Sequence, residues 1–411
     1  MRFGTQVVKF TFQGIPMVGN MDNGYVIGLT DDGYKVCQKM FKTEITEHEI
    51  RAVDDRLFFH LECGGFFSDK FSCPYPTVAY FHITQECNLH CVGCYSYDSK
   101  RNSSTNASFE KIARALDQLA SCGIKRLVIS GGEPFLRKDL PAILKHAKTI
   151  CKIEHIDVLT NGTVVSSKQL ESVASFVDRI SVSFDGYSEG SISHIRGEQR
   201  FEKLTETINM IKEAGIHAHL LPTIHAKNYM DIQEYCKLAS ELDVTLSFSL
   251  FSAPPGEEAV RSLIPTEKEL ERIAEQIIRI DSNQNSAFQD IPVNKNLAVR
   301  TCCGAARGEI SVAYDGSVYP CHMLHDNQFF MGSLFDDGFQ DVLSGSVRKE
   351  FITLNAASFK GCTDCEVRFL CGGGCRARSF YTSGSVYDKD PYCTLIKEFY
   401  KALFQQILTK N

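Results

Sequence analysis

Between residues 78 and about 280, short apolar runs alternate with amphipathic segments of helical length. The runs VAYFHIT, KRLVIS, HIDVLT, RISVSF, HAHLLPTI and VTLSFSL read as strands, and segments such as FEKLTETINMIKEAG read as the helices between them. This alternation predicts parallel strands joined by right-handed helical crossovers. Six repeats predict an α/β fold, a partial (β/α)6 TIM-like barrel that stays open. Pro254, Pro255 and Gly256 form a linker after the sixth strand, and a charged helix from about Thr266 to Ile280 closes the unit.

The flanking patterns differ. Near the N-terminus VVKFTF alternates as a strand should, GYVIGL gives a second extended run, and Thr30 can cap a helix through about Phe41. Thr46 and Glu49 then form a capping box ahead of Ile50, Val53, Leu57 and Leu61 at helical spacing. Strands followed by two short helices predict a winged-helix-like module. Beyond about residue 295 the chain is rich in cysteine and glycine and poor in long periodic segments, which predicts a region held together by metal. The pattern therefore divides the chain into 1–75, 76–285 and 286–411.

Composition narrows the function classes. With 411 residues, 43% of them hydrophobic, the chain can bury two or three cores. No run of about eighteen apolar residues is present and no export signal follows the N-terminus, so the expected location is the cytoplasm, with no membrane partner. A formal charge of -6 gives no electrostatic footprint for a nucleic-acid backbone. Seventeen cysteines in a reducing compartment point away from a disulfide framework and toward metal ligation. Three lie within residues 87–94 and eight between Cys302 and Cys393; the other six, Cys37, Cys63, Cys73, Cys122, Cys151 and Cys236, are scattered and read as small buried hydrophobes.

In barrels of this kind the chemistry sits at the carboxyl ends of the strands. CNLHCVGC follows the first strand, SGGEP the second, TNG the third and SFDG the fourth, so four polar loops converge on one face. Cys87, Cys91 and Cys94 alone make an incomplete tetrahedral set. Structural zinc wants four closed ligands, and only His82 and His90 are near enough in sequence to offer a fourth. A 4Fe-4S cluster held by three thiolates instead leaves one iron open, as catalysis requires.

The CxxxCxxC spacing with trailing Tyr95, placed after the first strand of a partial barrel, resembles the radical S-adenosylmethionine (SAM) superfamily; SGGEP resembles its GGEP motif and SVSFDG its ribose-binding segment. The resemblance implies that Cys87, Cys91 and Cys94 hold three irons, and that the amino and carboxylate groups of SAM bind the fourth. It implies that Ser130, Gly131 and Gly132 flank the methionyl portion, that Glu133 accepts from the amino group and that Pro134 fixes the turn. Ser183 and Asp185 would address the ribose or the carboxylate, Arg196 the carboxylate, and Asn161 lines the same mouth. A cap for Asp185, a turn for Asn161 and a surface ion pair for Arg196 are the competing readings. A flavodoxin- or ferredoxin-type protein is the implied electron donor.

The C-terminal block, with Cys302, Cys303, Gly316 four residues short of Cys321, then Cys362-x2-Cys365-x5-Cys371-x3-Cys375 and Cys393, resembles the SPASM extension with its two auxiliary 4Fe-4S clusters. The resemblance implies that Cys362, Cys365, Cys371 and Cys393 hold an outer cluster, and that Cys303, Cys321 and Cys375 share an inner one. The inner set departs from the fullest pattern: either adjacent Cys302 contributes or one iron stays open to substrate.

Members of this family include sulfatase maturases, which make formylglycine, and maturases of ribosomally made peptides, which build thioether or carbon-carbon crosslinks. Sulfatase maturases carry an aspartate directly after the GxxxxC cysteine, where this chain has His322. The N-terminal segment GYVIGLTDDGYKVCQKM resembles a PqqD-like precursor-recognition domain, which binds a leader peptide as an added strand. The expectation is a thioether-forming maturase of a precursor peptide. The competing expectations are formylglycine formation, carbon-carbon crosslinking, and a non-catalytic iron-sulfur electron carrier.

Overall fold

The structure, a computed structural model, describes residues 1–409 apart from 69–74, 198–199, 281–286, 289–290 and 294. Cys73 and the expected boundary at 285–286 lie outside the described residues.

The first residues form an antiparallel meander, β1 (Val7–Phe12), β2 (Ile15–Asn20) and β3 (Val26–Gly28). Gln13 and Gly14, with φ of 48° and 78°, make the two-residue turn that matches strand twist between β1 and β2. IPMVGN is not legible as a strand from its pattern, since Pro16 and Gly19 interrupt it; pairing with β1 imposes the extended form. Three helices follow: α1 (Asp31–Met40), capped by Thr30, α2 (Glu47–Arg51), opened by the Thr46/Glu49 capping box, and α3 (Asp55–Cys63). The single second helix expected from the periodicity is two helices, because Asp54 turns extended and caps a new start by accepting from the Arg56 amide.

The small sheet is apolar on both faces. Val7, Val18 and Ile27 pack on α1–α3, whereas Phe10, Phe12 and Met17 join the main core. Phe10 meets Phe369 edge-on at 5.6 Å and Phe12 meets Phe404 at 5.1 Å, so the module is seated on the C-terminal region by aromatic burial.

The six expected strands are all present: β4 (Val78–His82), β5 (Arg126–Ser130), β6 (His155–Thr160), β7 (Arg179–Phe184), β8 (His217–Ile224) and β9 (Thr245–Leu250). Between them run α4 (Phe109–Ser121), α5 (Leu140–Lys145), α6 (Ser167–Val173), α7 (Phe201–Glu213) and α8 (Ile232–Glu241). The strands pair in parallel and in chain order, and β4 does not pair with β9, which leaves the barrel open. Short α9 (Glu258–Arg261) and the Thr266-capped α10 (Glu267–Arg279) follow.

The C-terminal region is more than an appendage held by metal. After β10 (Ala287–Phe288), which extends the sheet beyond β9, β11 (Glu309–Val312) pairs in parallel with β4, and β12 (Ser317–Tyr319) and β13 (Gly332–Ser333) continue antiparallel. One ten-stranded sheet thus crosses the expected boundary. Helices α11 (Phe339–Ser344), α12 (Ser346–Thr353), α13 (Arg368–Cys371) and α14 (Arg376–Ser383) lead to α15 (Cys393–Thr409). The reading of this region as poor in periodic segments is corrected by α15, whose Leu395, Ile396, Phe399, Tyr400, Leu403 and Phe404 are buried in the core.

Candidate active site

A cavity of about 490 Å³ runs inside the open barrel. Cys87, Cys91 and Cys94 line it, in the loop after β4; Cys87 is buried and the other two half-buried. Asn102 ties the start of this loop by accepting from the Cys87 amide at 2.8 Å and donating to the Cys87 carbonyl at 3.0 Å. Gly93 bends it with φ of 64° where a Cβ would strike the Phe251 ring. Burial pushes the Cys87 thiol up and the Cys91 thiol up to about 11, with Arg196 acting against burial at Cys91. Thiols raised by burial ionise on meeting a metal, and three on one wall are a donor set for iron-sulfur chemistry.

Gly131 and Gly132, after β5, also line the cavity, and their lack of a side chain serves a loop contact. The Gly132 and Glu133 amides donate to the Thr84 and Glu86 carbonyls, both at 2.7 Å, immediately before Cys87. A Cβ on Gly131 would overlap the Thr84 oxygen, and one on Gly132 the Glu86 oxygen. Ser130 faces the cavity and shares a 2.6 Å hydrogen bond with the Tyr95 hydroxyl.

Glu133 is fully buried, and burial raises its carboxyl to about 7 against the hydrogen bonds that favour ionisation. It accepts from the amides of Phe135 (3.1 Å) and Asn161 (2.8 Å) and from the Thr160 hydroxyl (2.8 Å). Its position binds the loop after β5 to the loop after β6, and Glu133 and Pro134 are not among the cavity-lining residues. Asn161 does line the cavity: its side-chain amide donates to Asn88 at 3.0 Å and reaches the Cys87 sulfur at 3.9 Å. Its oxygen accepts from the Thr163 amide and hydroxyl, so Asn161 is a turn residue as well as a wall residue.

Ser183 lines the cavity from β7, whereas Asp185 sits behind it. One Asp185 oxygen accepts from the Ser193 hydroxyl (2.8 Å) and from the Ile195 and Arg196 amides (2.9 and 3.1 Å), so this carboxylate shapes the segment that presents Arg196. Burial would raise Asp185, but Arg196 and these donors hold it below the ordinary carboxylate range. The Arg196 guanidinium lines the cavity, and its buried Nη1 has no hydrogen-bond partner among the described residues. The Asp185–Arg196 ion pair, 3.9 Å apart, is buried rather than on the surface, and an Nη1 with no hydrogen bond beside three thiols still fits a carboxylate-bearing cofactor.

The same cavity reaches the C-terminal cysteines. Cys303, Cys321 and Cys375 line it together with Cys371, while Cys302 does not. The adjacent Cys302 thiol and nearby Arg376 lower Cys303 to about 6, and Cys302 is driven up. Cys362, Cys365, Cys371 and Cys393 form a second group of electrostatic neighbours. Between Cys371 and Cys375, Gly372, Gly373 and Gly374 all have positive φ (65°, 81° and 76°), a run that only glycine adopts without strain. Asp390 accepts from the Cys375 amide (2.6 Å), the Tyr392 amide (2.9 Å) and both arms of Arg378 (3.1 and 2.8 Å). The fully buried Arg376 donates to the Val386 and Asp388 carbonyls and lies over the Phe359 ring.

His322 lines the cavity, stacked on Tyr80 at 4.2 Å, and His325 packs on Tyr319 at 4.5 Å. His82 is fully buried behind the wall, and His90 is exposed. Sequence reasoning missed Glu309, whose carboxylate lies with the Cys321 and His322 ligand atoms within 4.8 Å of one another. Its only signal is a charged residue at a strand position in a cysteine-rich stretch. No helix among the described residues is long and apolar enough to cross a membrane.

The pattern of the radical SAM superfamily matches residues 81–239, and that of SPASM, an iron-sulfur cluster-binding domain, matches residues 302–366. The AdoMet-dependent heme synthase of Methanosarcina barkeri is 24% identical over 354 residues, covering 77% of this chain and 96% of the relative. The antilisterial bacteriocin subtilosin biosynthesis protein AlbA of Bacillus subtilis is 25% identical over 311 residues, covering 73% of this chain and 67% of the relative. Among solved structures, anSMEcpe with bound AdoMet has a TM-score of 0.67 at 19% identity, covering 81% of this chain and 95% of its own. Streptococcus suis SuiB bound to precursor peptide SuiA has a TM-score of 0.63 at 15% identity, covering 95% of this chain and 99% of its own. Both structural likenesses are likenesses of fold.

Proposed function

Because the chain belongs to the radical SAM superfamily and carries a SPASM iron-sulfur domain, we propose that it is a maturase that forms thioether links in a ribosomally made precursor peptide. The observation that carries this reading is the single cavity walled by Cys87, Cys91 and Cys94 and also by Cys303, Cys321 and Cys375. A chain segment held there meets both sets of cysteines. When bound, the clusters and SAM supply an electron and a carbon-centred radical able to take hydrogen from an unactivated C–H bond.

The protein's own residues do the rest. Cys87, Cys91 and Cys94 would hold the first cluster, Arg196 would meet the SAM carboxylate with an Nη1 that makes no hydrogen bond among the described residues, and Ser130, Gly131, Gly132, Asn161 and Ser183 would shape the adjoining wall. Glu133 and Asp185 would act as positioning residues through the loops they tie. Cys303, Cys321 and Cys375 would hold the inner auxiliary cluster, and Cys362, Cys365, Cys371 and Cys393 the outer one. Phe251, Ile195 and Val92 pack together as an apolar part of the wall, which would help exclude water. The N-terminal module would receive a leader peptide on the outer edge of β3, which no strand covers among the described residues. SuiB, solved bound to its precursor peptide SuiA, aligns over 95% of this chain, a span that takes in most of this module. A flavodoxin- or ferredoxin-type donor would supply electrons, and the cytoplasm suits a chain of seventeen cysteines.

A second reading, porphyrin chemistry, is favoured by the heme synthase of Methanosarcina barkeri, which this chain covers over 96% of its length. The test is to co-express the chain with short cysteine-containing peptides encoded beside its gene and to weigh the products. Loss of two hydrogens per link, abolished when the peptide cysteines are replaced, is expected. Normal turnover of a cysteine-free peptide would defeat the thioether reading, and consumption of an iron porphyrin in place of peptide would decide for the second.

A further inference from the structure

Glu309 opens β11 and points into the cavity beside the inner cysteines. Its carboxylate lies with the Cys321 and His322 ligand atoms, all within 4.8 Å of one another, Cys303 is an electrostatic neighbour, and among the described residues no cation is seen acting on it. Carboxylates set deep in a protein are paired with a cation or coordinate a metal. Here the neighbours are thiols of an incomplete ligand set. Cys302, the sequence-adjacent alternative, is buried away from the cavity. His322 is close, but its ring stacks on Tyr80 and its Nδ1, 3.9 Å from the Cys321 sulfur, is placed for a hydrogen bond to that sulfur.

We propose that Glu309 is the fourth protein ligand of the inner auxiliary cluster, completing Cys303, Cys321 and Cys375. The proposal rests on the reading that these three cysteines hold a 4Fe-4S cluster. It replaces both options that the cysteine spacing left open, a contribution from Cys302 and a vacant iron. Strand pairing supports it: β11 is locked to β4 with Glu309 opposite Val78, so the carboxylate is delivered from a rigid element. Oxygen is a harder donor than thiolate, so this iron would differ chemically from its three neighbours.

The test uses the full chain with Cys87, Cys91 and Cys94 replaced by alanine, so that only the auxiliary clusters are read. Reconstituted without oxygen, this parent should hold about eight irons, and Cys321→Ala in the same background about four. An iron content unchanged by Cys321→Ala would sink the cluster reading and the proposal with it. Cyanide is then titrated against the reduced clusters and followed by electron paramagnetic resonance. Glu309→Ala should bind cyanide roughly tenfold or more tightly than the parent, since no protein ligand competes for the iron. The near-isosteric Glu309→Gln should follow the alanine variant, and Glu309→Cys should bind none. Equal cyanide affinity in the parent and Glu309→Ala overturns the proposal. So does a gain of cyanide binding in Cys302→Ala or His322→Ala without one in Glu309→Ala. If the alanine variant loses the inner irons, their retention in Glu309→Cys supports the ligand role and their loss from both overturns it.

Discussion

Cys87, Cys91 and Cys94 stand in one short loop at the end of a parallel strand, whereas Cys303, Cys321 and Cys375 come from three separate segments of the C-terminal region. The first loop inherits its shape from the sheet. Backbone amides of the next βα loop lock onto it, and glycines remove the obstacles to that contact. The C-terminal block assembles around buried charge: Arg376 and the Arg378–Asp390 pair, 2.8 Å apart, satisfy the backbone of the turns that carry its cysteines. Sheet geometry is paid for by the whole barrel core. Buried ionic scaffolds depend on every partner being present.

This contrast predicts where each region breaks. Asp390→Ala removes the carboxylate that compensates the buried Arg378 charge and accepts from the Cys375 amide, at a cost of about 3–5 kcal/mol. Thermal unfolding should show that loss, and iron analysis should show auxiliary iron depleted with first-cluster iron retained; equal depletion of both would erase the distinction. Gly132→Ala should do the reverse, costing about 1–3 kcal/mol by overpacking against Glu86 and lowering occupancy of the first cluster while auxiliary iron stays.

The smallest effect concerns acid. His219, inside the barrel, is 2% exposed, shares hydrogen bonds of 2.7 Å with each of Thr245 and Ser247, and is pushed by burial to about 3. It is neutral in the folded chain and protonates in the unfolded one from about pH 6.5 downward, so its contribution is complete above that value and is lost as pH falls toward 3. At about pH 5.5 the loss is about 1.4 kcal/mol, and His219→Gln should remove that part of the slope in denaturant titrations. The Asp390 contribution is lost in the same direction but in a more acidic window. Burial raises it, Arg378 outweighs burial and holds it low, and its contribution persists until pH falls below the ordinary carboxylate range. His325 in the cysteine block is also pushed down by burial to about 3, so both regions lose a histidine contribution over the same acid range and the Asp390 contribution is lost below it.

Sequence legibility follows the same division. The six barrel strands were readable because each is a continuous apolar run flanked by a helix of matching period. The CxxxCxxC loop was readable because its ligands are neighbours in the chain. Strand β2 was not, since Pro16 and Gly19 mask a segment whose form comes from its partner. The attachment of β11 to β4 was hidden because EISV is short and its partner lies far away in the chain. Glu133 and Asp185 carried a family expectation of cofactor contact, yet their carboxylates are engaged by local backbone and hydroxyl donors, which no spacing could reveal. Glu309 belongs with these, since its meaning comes from what surrounds it in space.

The β4–β11 pairing works as a ruler. The CxxxCxxC loop leaves the carboxyl end of β4, and Glu309 lies beside Val78 at its amino end, with Val312 opposite Phe81. A strand of five residues measures about 16 Å. The two ends of the reaction chamber are therefore spaced by a hydrogen-bonded ladder, and a slip of one residue would shift one end by about 3.3 Å and turn Glu309 out of the chamber. Any substrate must suit a gauge that the chain cannot stretch, so variation among its relatives in what they accept should arise in the loops at either end and leave the length of this strand alone.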